Sequence, residues 1–207
     1  MPVVLVANPK GGVGKSTLAT NVAGYFASRG HAVMLGDVDR QQSARLWLGL
    51  RPPAASSIST WEAVGDGSVL RPPRGTTHAV LDSPAGLHGW RFKDALALAD
   101  KVIVPLQPSI FDIYATRDFL DRLKEQRHAA KKTQIGLVGM RVDARTLSAD
   151  RLHEFVAGLG VPVIGEVRDT QNYVQLAARG LTLFDIAPGR VARDLAQWQP
   201  ICQWLEA

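Results

Sequence analysis

Cysteine is nearly absent: Cys202 is the one thiol in 207 residues. A lone thiol excludes an internal disulfide and any zinc or iron–sulfur site built from several cysteines of one chain. Long apolar runs are missing too. Near the N-terminus the longest is Val3–Ala7, too short for a membrane span or a signal-peptide core, with no basic segment before it. The expectation is a cytoplasmic protein. Repeats and low-complexity tracts are absent. With 46% hydrophobic and 21% charged residues, the chain is neither disordered nor fibrous. Charge of one sign is scarce as well: the net is +5, carried by 17 arginines and 7 lysines. That excess permits a polyanionic partner without demanding one.

What is present is alternation. Val3–Asn8 is apolar and β-branched, a buried strand, and Ser16–Arg29 spaces Leu18, Val22, Tyr25 and Phe26 as a helix stopped by Gly30. Further strands are predicted over His31–Leu35, Ala79–Asp82, Lys101–Leu106, Ile135–Val142 and Val161–Val167. Further helices are predicted over Ile110–Gln126, Ala149–Gly158, Asn172–Arg179 and Arg190–Leu205. Leu50–Thr77, rich in Pro, Ser, Gly and Arg, reads as an irregular excursion with helical turns around Thr60–Val64. The pattern predicts one α/β domain over residues 1–207, with a mostly parallel central sheet covered by helices on both faces. Ligands of such sheets sit at the carboxyl ends of strands, so the chemistry belongs just after each one.

After the first strand comes Pro9-Lys10-Gly11-Gly12-Val13-Gly14-Lys15-Ser16-Thr17. Glycines let backbone N–H groups turn inward around phosphate oxygens, and the following helix adds its positive end. Lys15 reaches the outer phosphates and the Ser16 hydroxyl suits Mg²⁺. Gly11, Gly12, Val13, Gly14 and Thr17 complete the cradle. Pro9 replaces the usual first glycine, and Lys10 at the mouth of the loop suits the phosphates of a facing second subunit. Residues 10–16 resemble the signature of the ParA/MinD family of deviant Walker P-loop ATPases, K-G-G-x-G-K-[ST]. That resemblance implies ATP and Mg²⁺ as cofactors, with Lys10 and Lys15 catalytic.

The second strand ends in Gly36-Asp37-Val38-Asp39-Arg40-Gln41, two carboxylates two residues apart on an extended chain. This resembles the family's first switch, which implies that Asp39 positions the attacking water and Asp37 supports the metal. Arg40 replaces the more frequent proline. Asp82, which ends the third strand, fits the acid that holds Mg²⁺ through water. Gly86 follows where the family's second switch offers an N–H to the γ-phosphate. Met140-Arg141 stands where relatives often have Asn-Arg, so Arg141 and Asp143 are candidates beside the adenine.

Among branches of the family, the iron–sulfur carriers need cysteines this chain lacks. The tyrosine kinases carry a tyrosine cluster, whereas Tyr25, Tyr114 and Tyr173 are scattered. The last helix has an apolar stripe but a face poor in Lys and Arg, and Pro200 limits its continuity. It is expected to pack on its own domain rather than on a membrane. Larger ParA members add an N-terminal helix-turn-helix domain; this chain opens on its first strand, so sequence-independent DNA binding is expected. Arg168 stands where relatives carry a Pro-Arg-Asn element linked to DNA, and Arg190 and Arg193 resemble a basic position of the last helix. The resemblance implies an ATP-dependent homodimer, associated with the nucleoid. A ParB-like or cargo-adaptor partner would stimulate its slow hydrolysis. A MinD-like or cellulose-synthesis-type regulatory ATPase without DNA binding is the alternative.

Overall fold

The computed structural model describes residues 1–207 except 39–42, 66–67, 70, 87, 127–132 and 144. Five apolar stretches form the sheet's interior: β1 (Val3–Val6), β2 (Val33–Asp37), β6 (His78–Asp82), β7 (Lys101–Leu106) and β8 (Gln134–Met140). The two-residue β3 (Ile58–Ser59) and β9 (Val163–Val167) close its edges. The order is β3-β2-β6-β1-β7-β8-β9, and every pairing within it is parallel. Parallel strands need covered faces, and alternate side chains supply two cores. Val4, Val6, Leu35 and Val80 pack against α1 (Lys15–Ser28), α2 (Ser43–Gly49), α6 (Gln171–Ala177) and α7 (Ala192–Glu206). Leu5, Leu81, Val102 and Leu137 pack against α3 (Gly89–Leu98), α4 (Ile110–Gln126) and α5 (Leu147–Ala157). The chain leaves β1 toward β2 on one side and leaves β7 toward β8 on the other. The crevice above β1 and β7 is therefore the topological switch point, where ligands of such sheets bind.

Two expectations are corrected. Residues 60–64 form no helical turn. Val64–Gly65 is a strand, β4, paired antiparallel with β5 (Ser68–Val69). The excursion is also anchored: both terminal nitrogens of Arg51 donate to the Asp185 carboxylate at 2.9 and 2.7 Å, with side chains only 6% and 1% exposed. Further along, the Trp61 indole lies against Gly36, where a Cβ would fall 2.5 Å from the ring.

The second correction is Pro200, which sits inside α7 without ending it. Proline removes one N–H and leaves the Ala196 carbonyl without its usual donor. Both residues face solvent, where water can serve that carbonyl. The helix is held by burial of Trp198, Ile201 and Leu205 against the sheet, as the apolar stripe anticipated. No described helix is long and apolar enough to cross a membrane.

Candidate nucleotide site

The loop after β1 is braced from three sides. Asn8 is 1% exposed; its amide donates to the Pro105 carbonyl (2.7 Å) and Thr116 (3.1 Å), and its oxygen accepts the Lys10 N–H. Gln107 donates to the Gly12 carbonyl at 3.0 Å, and the Gly86 N–H donates to the Pro9 carbonyl at 2.9 Å. Gly86, expected to face a γ-phosphate, is thus engaged with the loop itself. Gly12 and Gly14 have φ of +75° and +97°, the region glycine enters without strain. Gly14 is the N-cap of α1 and packs so closely on Met140 that a Cβ would fall 2.6 Å from its methyl carbon. Lys15, 8% exposed, folds back so that Nζ donates to the Lys10 carbonyl at 2.6 Å. Gly11, Gly12 and Ser16 are exposed. The result is an anion cradle: a positive side chain, open backbone and a helix N-terminus in one place.

Two carboxylates stand beside it. Asp37 and Asp82 are directly paired in the β2–β6 register, and Asp82 is level with Val6 in the β6–β1 register. Leu35 and Val80, two residues earlier, face α1, so strand alternation turns both acids toward that helix's N-terminus. Adjacent strands run about 4.8 Å apart, which brings the acids together. Asp82 is 2% exposed, and the Arg45 N–H donates to Asp37 Oδ2 at 3.0 Å. Ser83 Oγ, buried beside them, has no hydrogen-bond partner among the described residues. Exposed Ser16 with Asp37 and Asp82 makes a hard-oxygen donor set that fits Mg²⁺. Asp39 and Arg40 lie outside the described residues.

A cavity of about 260 Å³ opens next to the loop, lined by Val13, Gly14, Thr17, Met140, Arg141 and the segment 167–170 with Tyr173. Arg141, a candidate for the base, is one of these lining residues, with φ +55°, and its Nε lies 3.9 Å from Asp169. Asp143 is not among the lining residues. Hydrogen bonds from Arg145 hold its carboxyl below the usual range, with a weaker pull from nearby Arg193. Arg168 lines the cavity, and its Nε donates to the fully buried Asp194 at 2.7 Å. Arg190, in a 3₁₀ turn before α7, and Arg193, on its first turn, are exposed.

Lys10 turns outward, its Nζ 3.8 Å from Asp112 on α4. The braces Asn8 and Gln107 and the counter-charge Asp112 went unread in the sequence, although an Asn closing a buried strand just before the loop was a usable signal.

These features define a P-loop nucleotide-binding protein with a central parallel sheet. Residues 4–183 match the CobQ/CobB/MinD/ParA nucleotide binding domain, and the chain belongs to that family. It is 27% identical over 198 residues to the maintenance of carboxysome distribution protein A of Halothiobacillus neapolitanus, covering 91% of this chain and 90% of that one. It is 31% identical over 183 residues to the chromosome-partitioning ATPase Soj of Thermus thermophilus, covering 72% and 73%. Among solved structures, the cell division ATPase MinD of Pyrococcus furiosus superposes with a TM-score of 0.75 at 18% identity over 98% of this chain and 99% of that one. Apo McdA from Cyanothece gives 0.74 at 17% over 95% and 97%. At these identities the structures speak for the fold.

Proposed function

We propose that this chain is a ParA-type ATPase that pairs with a second copy when ATP is bound. The pair binds DNA without sequence preference and positions a DNA or protein cargo. The carrying observation is the loop after β1. Lys15 is folded into it, Gly11 and Gly12 are open at its outer surface, and Lys10 stands at its mouth, 43% exposed. Lys15 neutralises the outer phosphates of the bound nucleotide. Ser16, Asp37 and Asp82 hold the magnesium ion, which when bound screens the charge gathering on the phosphates. Asp39 orients the attacking water. Lys10 exchanges Asp112 for the phosphates of the facing copy, and Gly12 lets the two backbones approach. Arg141 borders the base.

Arg190 and Arg193 are exposed, one in the 3₁₀ turn before α7 and the other on its first turn. A two-fold pair doubles them on one surface, so phosphate contacts add without a strong patch on either copy. Such binding associates the pair with the nucleoid, and a ParB-like or cargo-adaptor protein stimulates hydrolysis and release. The names of the carboxysome-distribution and chromosome-partitioning relatives support this reading.

The test uses Asp39→Ala to trap the ATP form and a random duplex across a salt series. The trapped form should bind DNA where the ADP form does not. Replacing Arg190 and Arg193 by Glu should flatten the log–log salt slope by about one per lost phosphate contact. Lys15→Ala should abolish nucleotide binding. A trapped ATP form that fails to bind DNA even at low salt would leave the regulatory ATPase without DNA binding, and binding that is equal in the ATP and ADP forms would overturn the ATP-controlled carrier.

A further inference from the structure

The wall of the 260 Å³ cavity hangs from α7. Residues 167–170 and Tyr173 form that wall, and four hydrogen bonds tie their segment to one side of the helix. The Arg168 N–H donates to Gln197 at 3.1 Å, and the Tyr173 hydroxyl accepts from Trp198 Nε1 at 2.9 Å. The other two converge on Asp194: Arg168 Nε on Oδ1 at 2.7 Å and Asn172 Nδ2 on Oδ2 at 2.6 Å. Asp194 is 0% exposed, yet it does not line the cavity. A buried carboxylate is strongly unfavourable unless paired and hydrogen-bonded, and α7 already has its apolar anchors in Trp198, Ile201 and Leu205. Both oxygens of this one are spent on orienting the segment that borders the nucleoside.

We propose that Asp194 is a positioning residue for nucleoside recognition: by holding Arg168 and Asn172 it presets the wall against which the base and ribose pack. The grip on the phosphates is left to the loop after β1. This rests on the nucleotide-binding reading above. It predicts that the base-dependent part of affinity can be lost while the phosphate-dependent part stays.

The experiment titrates the full chain with Mg·ATP and with Mg·tripolyphosphate, which lacks base and ribose. Asp194→Asn, nearly isosteric but uncharged, should weaken ATP about tenfold, the scale of one charged hydrogen bond. Tripolyphosphate affinity should stay within about twofold. Asn172→Ala removes a single bond outside the cavity lining, so it should shift ATP affinity in the same direction by less. It also keeps the test alive if Asp194→Asn fails to fold. Asp194→Glu, which keeps the charge, should recover part of the loss. Equal loss for both ligands, or no change for either, would overturn the assignment. If the unaltered protein binds tripolyphosphate but gains nothing from the base, the cavity is not the nucleoside site. If it binds neither, the nucleotide reading itself falls.

Discussion

Gly36→Ala should destabilise the protein, and Trp61 should be the reason. The backbone at Gly36 has an ordinary φ, so alanine meets no conformational strain there. The new Cβ would lie 2.5, 2.6 and 2.9 Å from Cη2, Cζ3 and Cζ2 of the Trp61 ring. Carbon atoms prefer about 3.5–4.0 Å, so the half-buried indole must retreat by about 1 Å along that edge. Overpacking of this size costs about 1–3 kcal/mol. The smaller entropy of unfolded alanine offsets about 0.4–1 kcal/mol of that. A net loss of about 1–2 kcal/mol follows. Urea unfolding of a double-mutant cycle with Trp61→Leu isolates the contact. With the indole gone, Gly36→Ala should be neutral or mildly stabilising, giving a coupling of about 1–3 kcal/mol, the steric cost itself. Because Gly36 immediately precedes Asp37, ATP turnover should fall in Gly36→Ala and recover in the double variant. An identical cost in both backgrounds would refute the steric argument.

Other outcomes follow from the same structure. Sedimentation with a non-hydrolysable ATP analogue should show a dimer that Lys10→Ala weakens and Gly12→Val blocks; equal mass with ADP and with the analogue would count against pairing through the loop. His78, stacked on His31 at 3.9 Å and on Phe26 at 4.4 Å, is pushed below the ordinary histidine range by burial and then by His31. The unfolded chain therefore takes up this proton first. The stability His78 contributes is complete well above about pH 6.5 and is lost as pH falls through that value. His78→Gln should flatten the drop in urea midpoint between pH 7.5 and pH 5.5.

The loop after β1 was legible because its chemistry is local: glycines, a lysine and a hydroxyl must follow one another, and they do. Asp82 and Asp37 were legible because each ends an apolar strand. The bounds of β7 and α4 were read correctly because long buried runs and a full helical period leave little choice. α2 and α3 escaped because each is short and lies next to loop residues that blur its period. The Arg168–Asp194 pair spans 26 positions, beyond what local spacing can show, and the acid nearer in sequence, Glu166, is engaged elsewhere. Glu166 is taken by His153 at 2.5 Å. The contact of Trp61 with Gly36 left no trace, since a missing side chain carries no periodic signal. Pro200 misled because the helix-breaking rule weighs one hydrogen bond, whereas burial of the α7 stripe outweighs it.

The level pairing of Asp37 with Asp82 also limits how this chain can change length. Strand side chains alternate, so one residue added or deleted within β2 or β6 would swing its acid to the α3–α4 side of the sheet. A two-residue change would restore the side but lift the acid about 6.6 Å along the strand, beyond reach of its neighbour. Insertions within these strands are therefore forbidden in either parity. In the stretch between Arg51 and His78 the described constraints are separate points, among them the Arg51–Asp185 anchor, the short β3 pairing and the Trp61–Gly36 contact, with irregular chain between them. Natural or engineered length variation should accumulate in that stretch and stop sharply at both strands.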